Sequence, residues 1–382
     1  MRPQPALAQP AAAPDRWMIL ILAVLLALGT VMVYSSSAVF AAEKLSQPDY
    51  YLKRHLVALA IGLVAMLGVY RLGYQRLSHL AYPALLFCLL LLILVLIPGV
   101  GTRAGGSSRW FRFAGFSFQP GELAKPVFVL YLACSLTRKK EKVKVFGQGF
   151  LPHLLVCGAA VLLLLMQPDF GTATILTLIT FCMLFLAGTR LRYLVASALA
   201  AVPLVYVLVA GSEYRLRRLL AFWDPWTYRY DIGYQISESL MGFGSGGWFG
   251  VGLGAGRHKL FFLPAAHTDF IFSLVGEELG LVGTLLVLVL FSVLVWRGLR
   301  LALKAPDLFG SYLAFGLSLL IGLQAMVNMA VVTGLLPTKG LTLPFFSFGG
   351  SSLICNLAAM GVLLSISRSA AESVPPAKVT WP

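Results

Sequence analysis

Long apolar runs separated by short polar segments fill this chain from residue 17 to residue 366. Many of these runs approach or reach the roughly 20 apolar residues that an α-helix needs to cross about 30 Å of hydrocarbon. The pattern predicts ten membrane-spanning helices, near residues 17–38, 55–72, 80–97, 119–136, 150–167, 170–188, 193–211, 270–296, 311–333 and 346–366. We therefore expect an all-α integral membrane protein whose two termini lie on the same side, because the number of spans is even.

The predicted spans are joined by short connections, with one long exception on the outer face. Residues 212–269 separate the seventh and eighth spans, and loops of this length are commonly functional when they are not disordered. This loop opens with EYRLRRLLAFWDPW, whose cations and aromatic residues are typical of a helix at the level of lipid headgroups. We expect one membrane domain over residues 17–368, a disordered N-terminal segment over 1–16 and a C-terminal tail over 369–382.

The basic charge of the chain has an explanation in topology. There are 30 Lys and Arg residues against 15 Asp and Glu residues, which gives a net charge of +15. Many of the cations lie in loops on the side of the termini, including RKKEKVK at 138–144, so the positive-inside rule places both termini in the cytoplasm. Such loops favour anionic lipid rather than nucleic acid. All five cysteines lie in predicted spans, and no Cys and His spacing indicates zinc.

Charged and glycine-rich motifs collect where the predicted spans reach the outer face. The motif RWFRFAGFSFQPGELAKP enters the fourth span, where Glu122 and Lys125 are three residues apart and can pair on one helix face. The motif QPDFGTA places Asp169 in a tight turn between the fifth and sixth spans. Residues 242–256 contain eight glycines, which would let the backbone approach a phosphate-bearing ligand, although a flexible turn explains glycines alone more simply.

A polar stripe follows the eighth predicted span, which begins just after Asp269. At 100° per residue, one side of this helix carries Asp269, Ser273, Gly276, Glu277, Gly280 and Gly283. Such a side faces protein or water rather than lipid. A charged side chain deep in a bilayer costs about 2.5–3.5 kcal/mol to insert, so Asp269, Glu277 and Glu278 are candidates for function.

Structural roles for these carboxylates stay open at this point. Thr268 or Asp269 could cap the eighth span. Glu277 could pair with Lys125 or Lys339 and so hold the helix bundle together. Convergence of the carboxylates with outer arginines favours the functional interpretation, namely a site for a ligand with an anionic headgroup and an apolar tail.

Seven motifs in fixed order resemble the SEDS family of bacterial shape and division proteins, over residues 17–368. The motifs are VYSSSA, RWFRFAGFSFQPGELAKP, QPDFGTA, DPW followed by GYQ, GSGGWFGVGLGAG, HTDFIFSLVGEELG and PTKGLTLPFFSFGGSS. The last motif is more similar to the division members than to the elongation members. Family members are polytopic glycosyltransferases, so the resemblance implies an enzyme that polymerises lipid II into peptidoglycan at the outer face of the cytoplasmic membrane, at the division septum.

The resemblance also implies roles for individual residues. Asp269, in HTDF, matches the family's catalytic aspartate. Gly121 stands where the family usually has serine, and Ala265 stands where glutamate is common, which removes a carboxylate beside the site. Substrate binding is expected at Arg109, Glu122, Lys125, Asp169, Arg215, Arg218, His267, Thr268, Lys339 and Ser351. Glu277 and Glu278 are expected to support the site.

The implied reaction is an inverting glycosyl transfer. The 4-hydroxyl of the acceptor's N-acetylglucosamine attacks the anomeric carbon of the donor's N-acetylmuramic acid, and undecaprenyl pyrophosphate leaves. Asp269 would act as the general base, with a pKa raised by partial burial. Arg109, Arg215, Arg218 and Lys339, in that order, are the candidates to stabilise the leaving pyrophosphate. A divalent cation, Mg²⁺ or Mn²⁺, could share this task, although no residue spacing establishes one.

The resemblance implies several partners. They are lipid II, the nascent glycan strand, a class B penicillin-binding transpeptidase, other division proteins and membrane lipids. Two alternatives to the polymerase are a lipid II flippase or transporter and a non-catalytic division scaffold. Transporters commonly contain internal repeats with paired broken helices. The chain has no clear repeat of this kind, and its candidate chemistry lies at the outer boundary, so the polymerase is favoured.

Overall fold

The computed structural model describes residues 13–104, 107–113, 116–211, 213–259 and 267–372. In chain order its α-helices are α1 (Arg16–Leu45), α2 (Tyr50–Leu72), α3 (Tyr74–Leu94), α4 (Pro120–Lys139), α5 (Leu151–Met166), α6 (Phe170–Leu186), α7 (Leu191–Ala210), α8 (Glu213–Trp223), α9 (Tyr234–Gly246), α10 (Ile271–Lys304), α11 (Leu308–Val332) and α12 (Gly350–Glu372). Helix α1 begins at Arg16, with Asp15 as its N-cap, so these residues of the expected N-terminal segment are ordered into the helix start.

Each of the ten expected spans overlaps one of these helices, which are α1 to α7 and α10 to α12. By length and apolar composition, seven helices in the described part of the chain can cross a membrane. They are α1, α2, α3, α5 together with the turn before it (Phe146–Met166), α10, α11 and α12. Helix α6 and the apolar part of α7 are shorter, and α4 contains a buried ion pair and a basic end. The multi-pass architecture is therefore clear, and the count of ten spans stays a prediction.

Helices α11 and α12 lie at the centre of the bundle, and α2 and α3 lie at its edge. Most of α11 and α12 is buried, whereas only a small part of α2 and α3 is. Helix α12 packs closely on α2 because Gly361 faces the Met66 carbonyl and Gly62 faces Leu357. Small residues at such positions allow helix backbones to approach each other, as is common inside membranes.

A small antiparallel sheet between α3 and α4 departs from the expectation of an all-α chain. Its strands, in spatial order, are β1 (Thr102–Ala104), β2 (Ser107–Phe113) and β3 (Phe116–Phe118). Strand β2 contains Trp110, Phe111 and Phe113, and aromatic residues are enriched in strands. The sheet leads through Gln119 into α4, whose first turn contains Pro120, as the sequence predicts.

Helix α10 is divided by a break at Gly280, where φ is 66° and ψ is −162°. Before the break, residues 271–278 are all buried, and after it one face of the helix is exposed. The polar stripe of the first part faces protein, as predicted. The Ser273 hydroxyl donates to the Ser239 carbonyl of α9 at 3.0 Å, and Gly276 packs against the Phe243 ring.

Candidate active site

Asp269 lies in the turn that leads into α10, and it does not cap that helix. The N-cap residue is Phe270, and no side-chain hydrogen bond caps the helix there. The capping alternative is therefore wrong. The Asn328 amide of α11 donates to the Asp269 carbonyl at 2.8 Å and to the Leu341 carbonyl at 2.6 Å. This single buried side chain fixes the start of α10 against the segment that precedes α12.

The Asp269 side chain lines a small cavity of about 110 Å³. The other lining residues are Arg218, Gln235, Phe270, Thr338, Lys339 and Gly340. Arg218 donates to the Thr338 carbonyl at 3.2 Å, and the Lys339 ammonium donates to the Thr174 hydroxyl at 3.2 Å. A Cβ atom at Gly340 would lie 3.1 Å from Oδ2 of Asp269. The cavity therefore brings one carboxylate and two cations together, with glycine leaving space beside the carboxylate.

The surroundings of Asp269 shift its protonation towards neutral pH. Asp269 is partly buried at the cavity, and the loss of hydration raises its pKa to about 6. Arg109 and Arg218 favour the charged form, while Glu122 and Asp169 disfavour it. A carboxylate with this pKa is mostly ionised at neutral pH and is a stronger base than an ordinary aspartate, which suits general base catalysis. Burial also lowers the pKa of Lys339.

The turn before α6 lies close enough to Asp269 for the charges of Arg109 and Asp169 to act on it. Arg109, on β2, donates through Nε to the Gln167 carbonyl at 2.8 Å and through Nη2 to the Pro168 carbonyl at 2.5 Å. Asp169 is the N-cap of α6 and accepts hydrogen bonds from the amide and hydroxyl of Thr172, at 3.1 Å and 2.9 Å. The turn is thus held by β2 on one side and by its own helix cap on the other.

Arg215 contacts the same turn from α8. Its guanidinium lies 4.4 Å from the centre of the Phe170 ring, a cation–π contact. Of the four cations predicted to bind pyrophosphate, the structure therefore places Arg218 and Lys339 at the cavity. Arg109 and Arg215 do not line the cavity and contact the turn before α6 instead.

Glu122 and Lys125 form the ion pair that their spacing predicts. The Lys125 ammonium lies 2.7 Å from Oε2 of Glu122, and both side chains are buried in α4. Beside them, a Cβ atom at Gly121 would lie 3.3 Å from Oδ2 of Asp169, which also accepts a hydrogen bond from the Gln119 side chain at 3.3 Å. The start of α4 and the cap of α6 therefore meet at the position where the family usually has serine.

Ser351 and His267 fix neighbouring segments. The Ser351 hydroxyl accepts from the Gln119 amide at 3.0 Å and donates to the Ser117 carbonyl at 3.3 Å, which joins α12 to the junction of β3 and α4. The ring centre of His267 lies 4.6 Å from that of Tyr51 and 5.8 Å from that of Phe348. Burial lowers the pKa of His267 to about 4, so this imidazole is neutral at physiological pH.

Thr268 and Ala265 are the two other positions near His267 that the resemblance singles out. Thr268 is partly buried between His267 and Asp269. Ala265 lies outside the residues that the structure describes, so the effect of its missing carboxylate stays a prediction.

Residues 247–259, which we call the glycine loop, bind the carboxylate-bearing part of α10. The Glu277 carboxylate accepts from the Arg257 amide at 2.6 Å and from the His258 amide at 3.3 Å. Its Oε1 also lies 3.0 Å from Nδ1 of His258. These contacts replace the predicted alternatives, because Lys125 pairs with Glu122 and Lys339 donates to Thr174, so the interpretation of Glu277 as their partner is wrong.

Glu278 is surrounded by three donors, two from the glycine loop and one from α1. The Lys259 ammonium lies 2.7 Å from Oε1, and the Ser35 hydroxyl of α1 lies within 2.8 Å of both carboxylate oxygens. The Gly254 amide donates to Oε2 at 3.1 Å. The amides of Gly254, Arg257 and His258 thus face carboxylates of the protein itself rather than an external phosphate.

Several residues that shape the site were not among the predicted site residues. Gln235 lines the cavity, Asn328 holds Asp269, and Glu238 is a buried acid of α9 that lies 3.8 Å from Nε2 of His258. Gln235 belongs to the GYQ motif, and Asn328 is a polar residue in an otherwise apolar span. Both signals were readable: Gln235 lies in a motif of the resemblance, and polar residues inside membrane helices, such as Asn328, are candidates for a specific role.

Comparison with known families and proteins adds a second line of information. A family model described as "Cell cycle protein", for FtsW, RodA and SpoVE, matches residues 15–372. The chain is 51% identical to the probable peptidoglycan glycosyltransferase FtsW of Geobacter sulfurreducens over 356 residues, which cover 92% of this chain and 95% of that protein. It is 43% identical to the stage V sporulation protein E of Bacillus subtilis, over 93% of this chain and 97% of that protein.

Solved structures give the same result for the fold. One similar chain comes from a structure described as showing structural coordination of polymerization and crosslinking by a peptidoglycan synthase complex. That chain is 34% identical, with a TM-score of 0.78, and the match covers 94% of this chain and 98% of that one. The rod shape determining protein RodA of Thermus thermophilus is 31% identical, with a TM-score of 0.70 over 94% of this chain and 97% of that one.

Proposed function

Because this chain belongs to the FtsW, RodA and SpoVE family of cell cycle proteins, we propose that it is a peptidoglycan glycosyltransferase that polymerises lipid II during cell division. The observation that carries the proposal is the position of Asp269, a carboxylate with a pKa of about 6 at a cavity lined by Arg218 and Lys339. This arrangement offers a base for an attacking hydroxyl beside cations for a leaving phosphate.

Asp269 acts as the general base in this mechanism. Its carboxylate accepts the proton of the acceptor's 4-hydroxyl as the oxygen forms a bond to the donor's anomeric carbon. The bond from that carbon to the pyrophosphate oxygen breaks, and undecaprenyl pyrophosphate leaves with the electron pair. Attack and departure occur on opposite sides of the carbon, so the configuration inverts.

Arg218 and Lys339 stabilise the negative charge of the leaving pyrophosphate, because both line the cavity with Asp269. Arg109 acts at longer range: it favours the ionised form of Asp269 and holds the turn that bears Asp169. Glu122, Lys125, His267, Thr268 and Ser351 surround or support the substrate region. Glu277 and Glu278 hold the glycine loop against α10.

A divalent cation is a separate proposal. Among the described residues, no group of three His, Cys, Asp or Glu side chains converges as a metal site. Asp169 already caps α6, and Glu122 pairs with Lys125. The side chains in the described part of the chain therefore do not form a preformed metal site, and no step above depends on a metal. A bound Mg²⁺ or Mn²⁺ would take most of its ligands from pyrophosphate and water.

The proposal includes the orientation and the partner of the enzyme. We place the Asp269 end of the bundle on the outer face of the cytoplasmic membrane at the division septum, with both termini in the cytoplasm, as the loop charges favour. A class B penicillin-binding transpeptidase would crosslink the strands, in keeping with the similar chain found in a complex for polymerization and crosslinking. Other division proteins would contact the cytoplasmic tails.

The test is glycan-strand formation from labelled lipid II, with the protein reconstituted beside its cognate transpeptidase. Asp269→Asn retains the size of the side chain and removes the base, so strands are expected from the wild type and not from this variant. Asp49→Asn is the matched control, because it removes an exposed carboxylate that only pairs with Lys53. Folding and complex formation are compared for all three proteins.

Other outcomes separate the alternatives. Equal strand formation by wild type and Asp269→Asn would remove Asp269 as the base. If a known polymerase works in the same assay and neither protein makes strands, a lipid transporter or a division scaffold becomes the better description.

A further inference from the structure

The glycine loop joins the backbone of α10 at the helix break. The Leu281 amide donates to the Gly247 carbonyl at 2.9 Å, and the Val282 amide donates to the Trp248 carbonyl at 3.1 Å. In a continuous helix these amides would donate to residues four positions earlier in α10. The loop supplies their acceptors instead, so it is fixed beside the first lipid-facing residues of the helix.

Complementary bonds run in the other direction. The carbonyls of Glu277 and Glu278 accept from the amides of Val251 and Gly252, at 3.0 Å and 3.1 Å. Both donors and acceptors freed by the break are therefore paired with the loop, which makes loop and helix one rigid unit.

The side chains at the tip of this rigid loop are apolar and uncovered. Trp248 is 70% exposed and Phe249 is 81% exposed, and Val251 and Leu253 are exposed as well. A patch of this kind on a rigid loop marks contact with a membrane or another molecule. Arg257, at the end of the same loop, is exposed too.

The position of the break along α10 shows which surface the patch adjoins. From Leu281 onward, α10 exposes a stripe that includes Leu281, Val282, Leu285, Leu286 and Val289. Residues 281–296, which end just before Arg297, extend about 24 Å at 1.5 Å per residue, most of the roughly 30 Å of hydrocarbon. The break therefore lies close to the membrane boundary, at the end of the lipid-facing stripe, and the patch continues that stripe.

We propose that the glycine loop is a membrane-surface anchor whose occupant is lipid. Trp248 and Phe249 insert at the headgroup level of the leaflet on the Asp269 side, and Arg257 faces lipid phosphates. Aromatic residues prefer this level, where an apolar ring meets a polar boundary. Since the loop is bonded to the break, the anchor also sets the height of the start of α10, which lies roughly 14 Å further along the helix and is preceded directly by the turn that bears Asp269.

The test uses the emission of Trp248 in vesicles of phosphatidylcholine and phosphatidylglycerol. The full-length protein alone is reconstituted, and the contribution of Trp248 is the difference between wild type and Trp248→Phe. We expect blue-shifted emission that is quenched more by lipids brominated near the headgroup than by lipids brominated at the chain end. Trp296→Phe provides the matched control, because Trp296 is an exposed residue on the lipid-facing part of α10.

Two results would overturn the anchor. Emission typical of tryptophan in water, quenched by acrylamide and by no brominated lipid, would place the loop in solvent. Blue-shifted emission that neither agent quenches would show that protein, such as a second copy, covers the patch. A nitroxide at Phe249→Cys gives an independent measure, with the signal of identically treated wild type subtracted. We expect the nitroxide to be more accessible to oxygen, which concentrates in lipid, than to a water-soluble nickel complex. Greater accessibility to the nickel complex contradicts the proposal.

Discussion

Asp269 and the pair Glu277 and Glu278 are close in sequence, yet the fold gives them opposite surroundings. Glu278 has an ammonium, a hydroxyl and an amide around its two oxygens, and Glu277 has the amides of Arg257 and His258. Asp269 faces a cavity, and burial raises its pKa to about 6. A carboxylate with built-in donors acts as a structural link, whereas one that faces a cavity with weakened hydration can exchange a proton with a ligand.

Removal of the Asp269 carboxylate is the largest expected effect on activity. Asp269→Asn should lower the rate of glycan-strand formation by about 10²–10⁴-fold, the usual contribution of a general base. Its melting temperature should not fall below that of the wild type, because a buried charge is removed. Polymerisation kinetics and thermal unfolding in the same detergent check both parts, and a large loss of stability would contradict the comparison.

Disruption of the Glu278 link should affect stability first. Lys259→Met leaves the Glu278 charge buried without its ammonium, and breaking a buried pair from one side typically costs about 3–5 kcal/mol. Thermal or denaturant unfolding measures this loss. Lys259→Met combined with Glu278→Gln should recover much of it, and Lys53→Met, at an exposed pair, should change little. Equal stability of Lys259→Met and wild type would contradict the interpretation of the Lys259–Glu278 pair as a structural link.

The pKa of Asp269 predicts the dependence of activity on pH. The folded-state pKa is raised, so the active ionised form is populated above about pH 6 and lost below it. The rate should therefore be level above pH 6 and should decrease about tenfold per pH unit below it, because the protonated carboxyl cannot accept a proton. A profile of initial rates with intact protein at each pH provides the measurement. A decrease in rate that begins only near pH 4 would show that the pKa of Asp269 is that of an ordinary aspartate.

The smallest expected effect is at Gly121. A Cβ atom there would lie 3.3 Å from Oδ2 of Asp169, which is tight, but a serine hydroxyl could donate to that carboxylate. Gly121→Ser should therefore change stability by less than about 1 kcal/mol and leave the strand-forming rate near that of wild type. Gly121→Val, which has bulk without a donor, is the contrasting variant. A similar loss of stability in both variants would show that the limited space beside Asp169, and not the hydroxyl donor, determines which residues position 121 accepts.

The membrane architecture was readable from the hydrophobic pattern because each span must be predominantly apolar over about 20 residues. All ten predicted segments overlap helices, and the buried pair of Glu122 and Lys125 follows from helical spacing. The small sheet was missed because its strands are short and lie in a loop that was interpreted from its charges. Partners of Glu277 were missed because the predicted ones were sought among other spans, whereas the actual ones lie in the adjoining loop.

The sequence by itself determined the class of protein, the order of its motifs and the residues with candidate chemistry, since these depend on composition and local periodicity. Tertiary structure alone decided which carboxylate faces a cavity and which is bonded to the loop. Hydration and hydrogen bonding around Asp269 depend on Arg218, Lys339 and Asn328, which are distant in the chain. Local sequence cannot encode such surroundings separately from the fold, because they arise only when packing brings remote segments into contact.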